Sequence, residues 1–146
     1  MSLKIWADNG WLQTHETTRA EISELMAVAD RGLRDARIEE LSPDARIGLA
    51  YQAALAVGAA ALAAAGYRAM RERHHERVID SLLHTLRAEA RLVSELHRWR
   101  RARNTMTYER LGTVTLPEAG KFVEFVEGLR GRVTNWLAKE HPKLTQ

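Results

Sequence analysis

The chain has 146 residues, 22 Lys+Arg against 19 Asp+Glu, a formal net charge of +3 and no cysteine. That length suits one domain with a core of its own, and the missing cysteines exclude disulfides, thiolate metal sites and a cysteine nucleophile. The charge is mildly basic, short of the excess of a dedicated nucleic-acid coat, so where the arginines lie matters more than their sum.

No basic region followed by a long apolar run opens the chain, so a secretory leader is not expected and a reducing, cytoplasmic location is. Residues 1–15 read as an N-terminal extension whose Ile5-Trp6 and Trp11-Leu12 pairs either clip over the core or reach a second copy. From about Glu16 to Ile38, Ile22, Leu25, Met26, Ala29, Leu33 and Ala36 recur at helical spacing, with Thr14 or Thr17 as the cap. Ser42-Pro43 then starts a second helix, because proline is tolerated at the first helical position. That helix runs to Gly66 and is rich in alanine and glycine, which reads as a central bundle helix or a dimer seam. The stretch Ile47–Tyr67 carries no charge, yet alanine partitions too weakly for a membrane span to be expected.

Tyr67–Glu72 reads as a connector, and no strand is predicted. A third helix carries Val78, Ile79, Leu82, Leu83 and Leu86, with His74 and His75 at its start, and a fourth runs from about Ala88 to Leu111. Thr115, Pro117 and Glu118 open the last helix, which Pro142 ends. Gly120, Gly128 and Gly131 interrupt its pattern without forming a phosphate loop and are read as marks of close helix packing. The expectation is an all-α, up-and-down bundle of about five helices in a single domain over 1–146, with its core at about 16–140.

On a helical wheel the fourth helix gathers Leu92, Leu96, Trp99 and Met106 on one arc, with Arg103 in its middle. Arg87, Arg91, Arg98 and Arg101 fall on the far side and read as a solvated face. A guanidinium on an apolar face must find partners or an opening to water. Arg103 either pairs with an acid from another helix or joins Arg100, Asn104, Tyr108 and His97 along one polar groove.

An arginine-asparagine pair late in a bundle helix, followed within two turns by histidine or tyrosine, resembles the signature region of the HEPN superfamily. Here it is Arg103-Asn104 with Tyr108-Glu109, preceded by Ala-Ala-Gly66-Tyr-Arg and by His74-His75 opening a helix. The resemblance spans most of residues 16–140. It implies a helical-bundle fold, a homodimer, and a site that holds RNA; the small-residue helix and Trp6 and Trp11, which offer apolar surface beyond one bundle's needs, point to the same homodimer. Family members that cut RNA use an arginine, four to six intervening residues and a histidine, without metal. Counting from Arg100, Arg101 or Arg103, the allowed histidine positions run from Thr105 to Arg110, and none is histidine. Tyr108 takes the slot after Arg103, and tyrosine is a poor base at neutral pH.

The function expected is therefore a catalytically degenerate RNA- or nucleotide-binding module of a defence or toxin–antitoxin type, binding through Arg100, Arg103, Asn104, Tyr108 and His97, with His74 and His75 secondary. A partner protein is possible in such a setting; no cofactor, metal or membrane is expected. Two other readings compete: a helical interaction scaffold, and a metal-independent ribonuclease with an atypical acid or base.

Overall fold

The computed structural model describes residues 2–106 and 114–145, with residues 104–106 by their backbone alone. In chain order the elements are α1 (Leu3–Asp8), β1 (Leu12–Thr14), α2 (Arg19–Asp35), α3 (Pro43–Ala64), β2 (Tyr67–Ala69), α4 (His74–Thr85), α5 (Ala90–Met106), α6 (Leu116–Glu140) and a 3-10 turn (Pro142–Leu144). The all-α bundle is thus observed, with a short first helix and a small sheet added to it.

The centre of the bundle is α3. Ser42 caps it through Ala45 N, Pro43 opens it, and Gly66 leaves it at φ +100°, a left-handed geometry that glycine adopts without a Cβ clash. Its buried residues include Ile47, Tyr51, Val57 and Leu62 beside a run of alanines, and α2, α4, α5 and α6 all pack on it. Among the described residues α3 is the one helix long and apolar enough to cross a bilayer, and its own neighbours bury it. Close approach is what makes an alanine helix a good core. A Cβ on Gly58 would lie 2.9 Å from Val78 Cγ1 of α4, and one on Gly32 of α2 would lie 3.1 Å from the Leu49 carbonyl oxygen of α3.

Helix α2 buries Ile22, Ala29 and Leu33 and is capped by Thr18, one residue beyond the nearer expected cap, Thr17, whose hydroxyl instead binds Glu21 Oε1. Helix α6 begins with a full capping box, Thr115 with Glu118, and buries Phe122, Val123, Val126, Leu129, Val133 and Leu137. Arg130 closes a two-toothed pair on Asp30 of α2 at 2.7 and 3.2 Å, and Arg37 grips Glu127. These exposed pairs set register more than they add stability.

Three expectations are corrected. Residues 67–69, read as part of a connector, form β2, which pairs antiparallel with β1 (Leu12 with Ala69, Thr14 with Tyr67). Trp6 is not surplus surface: it is buried with Leu62 and Val78, its ring set edge-on to His84 at 4.9 Å. Trp11 lies beneath the Arg77 guanidinium at 3.9 Å, so the extension clips over its own core. Gly120, Gly128 and Gly131 mark no close packing, since a Cβ at each would meet open space.

The two kinds of glycine predict opposite responses. Gly58→Ala should destabilise by about 1–3 kcal/mol through overpacking against Val78. Gly128→Ala, on the exposed side of α6, should stabilise by about 0.5–1 kcal/mol through helix propensity. Urea unfolding of the two variants measures both.

Candidate functional site

The side chains singled out on α4 and α5 form one constellation around Tyr51 of α3. Tyr51 is fully buried, and its hydroxyl, which needs a partner in an apolar core, lies 3.2 Å from His75 Nδ1 at the start of α4. The Arg103 guanidinium lies over the Tyr51 ring, 5.2 Å from its centroid. Burial pushes the Tyr51 phenol up to about 12, although the charges of Arg100 and Arg103 pull the other way. It therefore stays protonated and neutral at physiological pH.

Arg100, one turn before Arg103, is held from both sides. Its Nε–H donates to His97 Nδ1 at 3.2 Å, and its Nη1 lies 3.7 Å from Glu76 Oε1. His97 Nε2 in turn lies 2.6 Å from Asp80 Oδ1 of α4. Among the described residues, Arg100 is thus the one of the two arginines that meets an acid from a neighbouring helix, while Arg103 rests on an aromatic face. Arg87, Arg91, Arg98 and Arg101 are exposed, as their positions on the wheel required. Asn104 lies within α5, but its side chain, like the whole of Tyr108, falls outside the described residues.

Of these residues His75, Glu76 and Arg100 line a cleft of about 290 Å³, together with Arg71, Arg73 and His74. A second hollow, of about 570 Å³, adjoins it across His74 and His75 and takes in Arg68 and Arg71. Arg73 stands at the N-cap of α4 with φ +55° and makes no side-chain cap there. A left-handed arginine carries a cost of about 1–2 kcal/mol. Larger hollows lie between α5 and α6 (about 610 Å³) and between α2 and α6 (about 700 Å³). The acids beside the first are engaged in holding the fold: Glu95 binds Trp99, Glu118 caps α6 and Glu89 binds Arg132. Among the described residues, no group of three or more His, Asp or Glu side chains is placed to hold a metal ion.

Burial lowers the pKa of His75, with His74, Arg103 and Arg100 adding to the effect. The ring is neutral at pH 7. It is a hydrogen-bonding group there, and a proton acceptor if its outer nitrogen is the unprotonated one. Chemically the arrangement offers fixed positive charge from arginines that never titrate, a neutral imidazole, and a cleft wide enough for a phosphate group.

Candidates placed apart in the sequence, His74 and His75 on one side and His97, Arg100 and Arg103 on the other, share this site. Tyr51, Arg71, Arg73, Glu76 and Asp80 were missed by the sequence reading. Tyr51 had a signal, since a lone aromatic hydroxyl in an alanine-rich helix must find a polar neighbour on another element. No family model matches the chain, and no curated protein is significantly similar to it.

His75 and His84 both have pKa values below the usual 6.5, in each case chiefly through burial. Between the folded and unfolded pKa values the unfolded chain binds more protons. The contribution is therefore complete above about pH 6.5 and is lost as pH falls through the folded values. Stability should fall on acidification from about pH 7 to about pH 5.5, before the carboxylates Glu21, Glu89 and Glu118, also held low, begin to titrate. His75→Gln, which keeps a partner for Tyr51, should flatten that slope in melts recorded across the range.

Proposed function

We propose that the chain is a catalytically degenerate HEPN-like module that binds the phosphate groups of single-stranded RNA or of a nucleotide at the α3–α4–α5 cleft. The observation that carries this reading is the convergence of Arg100, Arg103 and His75 on Tyr51, beside a cleft whose lining includes Arg71 and Arg73. Arginine at such a place suits phosphate, because its fork matches paired oxygens and its charge persists at every working pH. The bundle fold and the position of Arg103 on α5 agree with the resemblance to HEPN proteins. In this reading two copies pair, as the family does, and the protein works in the cytoplasm with a partner of a defence or toxin–antitoxin type. The pairing rests on the resemblance, since Trp6 and the small residues of α3 are buried within the chain itself. A monomer mass by light scattering at micromolar concentration would remove it.

One observation favours a second reading. His75, from another helix, brings a neutral imidazole to the two arginines, so an active ribonuclease with His75 as its base is the competitor. A helical interaction module without nucleic acid is the third.

A single experiment separates them: titration of single-stranded RNA at low and moderate salt, with the RNA then run on a denaturing gel. The proposed module binds intact RNA, with an affinity that falls as salt rises by about 0.7 log units per log unit of salt for each phosphate neutralised. Arg103→Ala should lower both the affinity and that slope. RNA cut by the wild type and spared by His75→Gln would replace the proposal with the enzyme reading. Absence of binding by folded protein, with Arg103→Ala merely less stable, would leave the scaffold.

Arg73 offers an independent check. Arg73→Gly should raise stability by up to about 1 kcal/mol by relieving left-handed strain, glycine's own chain entropy offsetting part of the gain. It should also weaken RNA binding. A variant that is stabilised with its affinity intact would remove Arg73 from the site.

A further inference from the structure

We propose that Asp80, His97 and Arg100 form a relay in which the carboxylate fixes the imidazole and the imidazole fixes the guanidinium, so that Arg100 meets an anion in the cleft already oriented. Asp80 and His97 act through Arg100 and are positioning residues. Their role in binding rests on the reading of the cleft as a phosphate site; the relay's own geometry does not.

Hydrogen-bond chemistry gives the relay only one direction. Arginine has no acceptor, so its Nε–H, 3.2 Å from His97 Nδ1, must donate, and that ring nitrogen must carry its lone pair. The ring proton then sits on Nε2, which faces Asp80 Oδ1 at 2.6 Å. An ionised carboxylate can only accept. The requirements of both ends therefore select the same neutral tautomer, with the proton on Nε2. A doubly protonated ring would set N–H against N–H at Arg100 and break the link.

The arrangement is also partly shielded from water. The side chains of His97 and Arg100 are 17% and 19% exposed, against 36% for Asp80 and 38% for Glu76. The inner groups of the relay are thus the best protected, where a fixed hydrogen bond outlasts competition from solvent. Pinning Nε leaves the guanidinium plane set before any ligand arrives, which removes part of the ordering loss that a long side chain suffers on binding. At 3.7 Å, Glu76 pairs with Nη1 by charge and makes no direct hydrogen bond to it, so the Nη1 protons are not fixed by Glu76 as the Nε–H is by His97.

The sequence spacing explains why one helix edge carries the inner link. His97 and Arg100 are three residues apart on α5 and so lie on one face, and Asp80 faces them from the packed flank of α4. A merely structural role, the joining of α4 to α5, would be served by the Asp80–His97 pair alone. The bond onward to Arg100 is what connects that pair to the cleft.

The test uses the full chain labelled with nitrogen-15, and single-stranded RNA as the probe. In the wild type the His97 ring should show the Nε2–H tautomer, and Arg100 a sharp, slowly exchanging Nε–H signal. Asp80→Asn, whose amide can donate to Nε2, should mix the tautomers, and His97→Phe should abolish the Arg100 signal. Both should weaken RNA binding on the order of tenfold, as expected for a hydrogen bond to a charged group. Neither should weaken it further in an Arg100→Ala background, because the residues act as one unit. His97→Asn, whose Oδ1 can stand where Nδ1 stands, should recover most of the affinity. Thermal melts establish that each variant is folded.

An Nδ1–H ring in the wild type overturns the relay. So does full affinity in His97→Phe when Arg100→Ala binds weakly. Should the wild type bind no RNA, the reading of the cleft fails, and the spectra alone decide the relay: loss of the Arg100 signal in His97→Phe sustains it, and an unchanged signal removes it.

Discussion

Helix α3 has to be covered on every side, and most of the fold is the solution to that constraint. Alanine side chains bring little apolar area each, so a helix built from them adds to stability only if its neighbours come close enough to exclude water from its backbone as well. The approach of Val78 to Gly58 and of Gly32 to the Leu49 carbonyl shows how close they come. The bulk missing from α3 is supplied by the helices around it, through Phe122, Leu129 and Leu137 of α6, Leu82 of α4 and Leu96 and Trp99 of α5. Near Leu62 the cover from those helices is only partial, with Val78 of α4 on one side. There the N-terminal segment folds back, pinned by β1 to β2, and lays Trp6 over it.

The same constraint creates the site. One polar side chain of this mostly small and apolar helix, Tyr51, is buried, and a phenol hydroxyl in such a place costs free energy unless it is hydrogen-bonded. His75 satisfies it, which fixes where α4 must begin and turns its first residues toward α5. The arginines of α5 then face Tyr51 and His75, where their charges oppose the effect of burial on the phenol. The polar constellation is therefore an outcome of packing around one hydroxyl, and its residues are held by elements that the core cannot easily release.

How far the sequence discloses this depends on the range of the signal. Long helices repeat their pattern many times, amphipathic in α2 and α6 and apolar all round in α3, so the three were legible, down to Ser42 and Thr115 as caps. The strands are three residues each, too short for any alternation to register, and they pair residues far apart in the chain. The clip made by Trp6 depends on the same remote pairing. Gly120, Gly128 and Gly131 misled because a glycine in a helix has the same appearance in sequence whether it faces a neighbour or solvent. At the site, the wheel brought out Arg103, Arg100 and His97 because they share a helix. It was silent on Tyr51, Glu76 and Asp80, whose relation to α5 exists only in the fold.

The chemistry of the cleft separates binding from turnover. Holding a phosphate needs charge in place at all times, and arginine supplies it without titrating. Moving protons needs a group that changes state near neutral pH and has a lone pair facing the substrate. The fold spends its nearby imidazoles elsewhere: His97 has one nitrogen committed to Asp80 and the other to Arg100, and His75 has Nδ1 on Tyr51. Only the outer nitrogen of His75, and the exposed His74, remain outside those bonds among the described imidazoles at the cleft. A helix with a histidine after its arginine would carry the base on the same rigid element as the charge. Here the charge stands on α5 and the nearest uncommitted imidazole nitrogens on α4. That separation favours a site that grips a phosphate over one that cleaves it.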